Sequence, residues 1–88
     1  IRPGVALDQQ SEDDLCWIRD GFLEDRRDHG PLIVHGHTHI PQVTHYGNRV
    51  NLDSGAAYGG PLSAVVIDED GVFHLTDKGR IRLSPQAD

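Results

Sequence analysis

Apolar positions along this chain come in short runs, and the runs change period. Leu15, Ile18 and Phe22 fall at i, i+3 and i+7 and mark one face of a helix. Ser11 in front of them is a helix N-cap, and Asp14 three residues later completes a capping-box pattern. Glu12, Asp13 and Asp14 set negative charge at the positive end of that helix. Gly21 weakens its middle, and Gly30-Pro31 closes the segment. Residues 32–35 form a run without alternation, which predicts a strand buried on both faces. Residues 43–46 and 49–52 flank Gly47-Asn48 and predict a hairpin; residues 62–67 and 72–76 flank Asp70-Gly71 and predict another. Residues 1–10, 36–42 and the Gly-rich 53–61 are loops. From residue 77 the chain is polar, contains Pro85, and predicts a frayed tail. The sum is an α/β fold. One helix precedes about five short, mostly antiparallel strands, and that helix leaves one face of the sheet wanting a cover.

Composition tightens this picture. With 88 residues, 36% hydrophobic and 6% aromatic, the chain has little material for a core of its own. A net charge of −6 disfavours nucleic acid, whose phosphates want clustered Lys and Arg. The single Cys16 forms no intrachain disulfide and fits a reducing, cytoplasmic compartment. No apolar run is long enough to span a membrane, and there is no signal-peptide pattern. The chain opens on Ile1, and Arg2-Pro3-Gly4 reads as mid-protein loop, so a piece of a longer protein is expected.

The chemistry concentrates in His35-Gly36-His37-Thr38-His39, directly after the apolar run. Alternate residues of an extended segment share a side, which aims His37 and His39 into one volume as metal ligands. His35 reads instead as a residue that supports the ligands from behind. The bland alternative is a polar loop that happens to hold histidines. Arg19 carries a guanidinium that stays charged and can pair bidentately with an oxyanion. Its alternative is a surface pair with Asp20 or Glu24. Trp17 reads as core rather than substrate platform, and Tyr58 as either a site aromatic or ordinary sheet-edge packing. Ser54 has no nucleophile elbow around it. His29, His45 and His74 read as surface histidines.

Three ordered stretches carry a family resemblance: residues 14–19 (Asp-Leu-Cys-Trp-Ile-Arg), 34–38 (Val-His-Gly-His-Thr), and 51–60 with Leu62-Ser63-Ala64. Together they resemble the C-terminal part of the calcineurin-like metallophosphoesterases. Within that superfamily the likeness is to bacterial serine/threonine phosphoprotein phosphatases and to symmetrical bis(5′-nucleosyl)-tetraphosphatase. It covers most of residues 1–68. It implies that the chain is the C-terminal portion of an αββα sandwich. Residues 1–88 would then be the C-terminal segment of a single domain whose N-terminal metal-binding half is missing. The family's Gly-His-x-His implies that His37 binds metal two of a dinuclear pair and His39 metal one. His39 stands where phosphoprotein phosphatases often carry Pro, and there the chain follows the wider superfamily. Arg19, in Leu-x-Trp-x-Arg, takes the place of an arginine that holds the substrate phosphate. Tyr58 takes the place of an aromatic on the active-site rim.

The resemblance further implies two divalent ions (Mn, Fe, Zn or Ni, with Mn favoured) that activate a hydroxide for in-line attack on phosphorus. The family's earlier motifs, Asp-x-His, Gly-Asp-x-x-Asp-Arg-Gly and Gly-Asn-His-Asp/Glu, are absent from these residues. No catalytic residue proper lies within them, and alone they are expected to bind metal weakly and not to turn over substrate. The expected partners are the missing half and a phosphoprotein or small phosphorylated substrate. Two readings of other classes remain: a non-catalytic His-rich metal-binding module, and an interaction domain with incidental histidines.

Overall fold

The computed structural model describes residues 1–86. The capping box forms as the pattern predicts. Ser11 Oγ accepts the Asp14 amide at 3.1 Å, and Asp14 returns a carboxylate oxygen to the Ser11 amide. Asp14 also meets Arg2 Nε at 2.8 Å, and the Ser11 amide bond, ahead of Arg2, holds its carboxyl below the usual range. The helix behind this cap is short. α1 spans Glu12–Cys16, and Trp17 ends it. The longer helical face is therefore a correction. Leu15 is 58% exposed and Ile18 half-buried, while Phe22 alone is deeply buried. Gly21 adopts φ +84°, a left-handed turn that no helix continues through. Glu24 fixes that turn by accepting the Gly21 amide.

Six strands follow: β1 (Ile33–His35), β2 (Thr44–His45), β3 (Arg49–Asn51), β4 (Val65–Asp68), β5 (Gly71–Thr76) and β6 (Gly79–Arg82). They make two three-stranded sheets, ordered β1-β3-β2 and β4-β5-β6, where a single sheet was expected. All pairings are antiparallel except β1 with β3, which is parallel with Val34 opposite Val50. β1 sits at a sheet edge and Val34 is 44% exposed, so the strand is not buried on both faces as its composition predicts. The Gly47-Asn48 hairpin forms, with Tyr46 donating to the Arg49 carbonyl at 2.8 Å. The second hairpin turns at Glu69-Asp70, one residue earlier than expected.

The tail is a further correction. Residues 79–82 pair with β5, Phe73 lying opposite Arg82 and His74 opposite Ile81. Thr76 Oγ1 holds the intervening turn by donating to the Gly79 carbonyl and accepting the Lys78 amide. Arg80 and Arg82 both lie over the Phe73 ring, at 5.3 and 4.8 Å from its centroid.

Val43, Val50 and Val72 form the core, with Leu32, Leu52, Val65 and Leu83 packed around it. The cluster joins the two sheets through β3 and β5. Among the described residues no helix is long and apolar enough to cross a membrane. Val50 is fully buried, so Val50→Ala removes apolar contact and leaves a void. Urea unfolding should read a loss of about 2 kcal/mol.

His45 in β2 accepts the Gly47 amide on Nδ1 at 3.0 Å, and burial lowers its pKa from the ordinary 6.5. The stability that its neutral ring contributes is complete above 6.5 and is lost as pH falls through the lowered folded value. An NMR titration of the ring should give a midpoint below 6.5; a midpoint above it would contradict this account.

Candidate functional site

Parallel pairing of β1 and β3 sends both strands out of the sheet at one edge, so the loops after them meet there. The contacts are dense. Leu52 donates to the His35 carbonyl at 2.9 Å, and Ile40 to the Asp53 carbonyl at 2.8 Å. Asn51 is 1% exposed; its amide donates to the Thr38 carbonyl at 2.7 Å and accepts the Asp53 amide at 2.9 Å. One buried side chain thus fixes both loops. Asp53 shapes the second by accepting the Gly55 amide at 3.0 Å. The loop then folds back so closely that a Cβ on Gly60 would stand 2.3 Å from the Ser54 carbonyl oxygen. Ser54 Oγ is buried and donates to the Pro61 carbonyl, a structural hydroxyl and not a nucleophile.

The first loop does not stay extended. His37 has φ +71°, and the Thr38 amide bonds back to the Gly36 carbonyl at 2.9 Å. That is a γ-turn centred on a non-glycine residue, a strained conformation of the kind that gathers at functional loops. The turn also corrects the alternation argument. His37 packs edge-on against Trp17, with centroids 5.3 Å apart at 85°, and lines a cleft of about 200 Å³ with Leu15, Phe22 and Val34. His39 packs on Tyr58 at 5.2 Å and lines a different cleft of about 460 Å³ with Pro41 and Gly55. Both imidazoles are exposed. They lie on one loop but do not share one cleft.

Arg19 reaches this loop from the segment after α1, its Nε donating to Thr38 Oγ1 at 3.1 Å. The alternative ion pair with Glu24 does not form, because that carboxylate is on the Gly21 amide. Three consecutive residues therefore each carry one neighbour: His37 has Trp17, Thr38 has Arg19, and His39 has Tyr58. Trp17 is 64% exposed, which corrects its reading as core. Thr38 and Asn51 were not singled out as site residues. The signal for Asn51 is an amide inside the apolar run Val50-Asn51-Leu52.

His35 turns the other way. Arg49 Nη1 donates to its Nε2 at 2.9 Å, so the ring proton sits on Nδ1 and points at the Gly36 carbonyl, 3.1 Å away. Phe22 meets the ring edge-on at 5.1 Å. Burial first, and then the Arg49 charge, lowers its pKa and keeps it neutral. Arg49 is itself buried, stacked 3.8 Å over Tyr46 and donating to the Leu23 carbonyl. With both ring nitrogens hydrogen-bonded, His35 braces the loop.

Among the described residues no group of three or more His, Cys, Asp or Glu side chains is placed to hold a metal ion. Comparison with family models, with curated proteins and with solved structures found no match.

Asn51→Ala should orphan the Thr38 carbonyl and the Asp53 amide. The expected cost is about 2–3 kcal/mol in urea unfolding. Hydrogen exchange at the Ile40 and Asp53 amides should rise with it.

Proposed function

We propose that this chain is the substrate-facing C-terminal portion of a metal-dependent phosphoric ester hydrolase, a serine/threonine protein phosphatase before a dinucleoside polyphosphate hydrolase. The observation that carries the reading is the bond from Arg19 to Thr38, inside the His loop. It puts the Arg19 guanidinium on the loop that carries two exposed imidazoles, at the carboxyl edge of a parallel strand pair, where open α/β sheets bind ligands.

In this reading Arg19 holds phosphate oxygens with the two terminal nitrogens left over from its bond to Thr38. Tyr58 forms the rim beside His39, and His35 keeps the loop in place from below. In this reading His37 and His39 would belong to different ions of a dinuclear Mn-type centre. Among the described residues no third ligand stands with them, so in this reading the remaining ligands would lie outside these residues.

The test has two parts. With Zn²⁺ and the 88-residue chain, the ring resonances of His37 and His39 should shift at weak affinity and return on addition of a chelator. In a protein that carries these residues together with the family's earlier motifs, Mn²⁺-dependent hydrolysis of a phosphothreonine peptide should fall about a hundredfold in His37→Ala and His39→Ala. Tight stoichiometric metal on the isolated chain would instead favour the non-catalytic metal module. Metal binding elsewhere, with both rings unmoved, would end the proposal.

A further inference from the structure

β1 is an edge strand whose groups on one side are spent on β3. The Ile33 amide bonds to the Asn48 carbonyl, and the His35 carbonyl accepts the Leu52 amide. Strand backbone alternates, so the amide and carbonyl of Val34 point the other way, where no strand lies among the described residues. Unpaired edge groups of this kind are a template for another strand. Two clefts flank this edge, and Val34, His35 and Gly36 line both. One, of about 430 Å³, lies on the Val34 face with Leu52, Pro61 and Leu62. The other, of about 200 Å³, lies on the His35 face with Leu15, Ile18 and Phe22. Apolar side chains on both walls stand in water: Leu62 is 90% exposed and Leu15 58%. Val34 is half open as well, although Val50 opposite it in β3 is fully buried.

We propose that the open edge of β1 is a docking surface for one extended partner segment, apolar on both faces and basic at its ends. Its main chain completes the ladder at Val34, and its alternate side chains enter the two clefts. A strand with one polar face would fill only one of them. The basic ends follow from charge complementarity: Asp53 stands on the rim of the larger cleft, and the chain carries −6. The same net charge disfavours a second copy as the occupant. This surface is independent of the phosphatase reading, and one end of the added strand lies beside Gly36 whichever way it runs.

The experiment is an NMR titration of the 88-residue chain with the peptide acetyl-Lys-Lys-Val-Ile-Val-Ile-Lys-Lys-amide. The Val34 amide should shift downfield and exchange about tenfold more slowly, while the Ile33 amide, already bonded to β3, keeps its rate. A peptide with Ser and Thr in place of the four apolar residues should bind about tenfold more weakly or worse. A peptide with Glu in place of Lys should bind more weakly at low salt, and the difference should close as salt rises. Leu62→Asp, at an exposed position outside the core, should weaken binding about tenfold. Val34→Pro removes the outward amide alone and should abolish binding, with retained amide dispersion showing that the fold survives. Binding that leaves the Val34 amide unmoved, equal binding of the Ser/Thr peptide, indifference to Leu62→Asp, or no binding at millimolar peptide would overturn the docking surface. Equal binding of the Glu peptide at low salt would overturn the basic ends. A mass that rises with chain concentration in sedimentation, with Val34 the protected amide, would give the edge to a second copy and overturn the choice of occupant.

Discussion

Parallel pairing of β1 with β3 delivers two loops to one edge of a small sheet, and the buried amide of Asn51 ties them together. Everything at the site follows from that tie. A primary amide offers donor and acceptor at once, so one side chain satisfies a carbonyl on the His loop and an amide on the Gly-rich loop. Neither group has a strand partner where the sheet ends. The loops are therefore irregular in path yet determined in place.

Beneath them lies a second fixed point, made of charge without a countercharge. The partners of the buried Arg49 guanidinium are a neutral imidazole, a carbonyl and two aromatic faces. That arrangement suits arginine, whose flat cation is weakly hydrated and stacks well. It also sets the tautomer of His35, and through it the orientation of the Gly36 carbonyl that closes the turn at His37. The brace and the turn are thus linked by two hydrogen bonds.

Local rules made several of these features legible. The capping box needs only Ser11 and Asp14 at the right spacing, and the Gly47-Asn48 hairpin only its turn pair. What escaped depends on tertiary context. The periodic face of the helix was real in spacing, but the left-handed Gly21 and the lack of anything packed over Leu15 confine the helix to five residues. The third strand of the second sheet was present as alternation in Gly79-Arg80-Ile81-Arg82-Leu83, masked by the polar composition around it. At the site, the strand-like alternation of the histidines failed because a reversed φ at His37 cannot be seen in a string of residues. Arg19 and Tyr58 were placed by resemblance alone; their contacts with Thr38 and His39 belong to the structure. Trp17 was misread because large aromatics are usually buried.

The backbone at His37 has one more implication. A side chain held at φ +71° costs roughly 1–2 kcal/mol relative to a residue without a Cβ. Glycine would relax the turn, and asparagine would tolerate it better. A replacement chosen here for robustness alone would relax the turn and remove the imidazole proposed as a ligand, so the two aims oppose each other at this position.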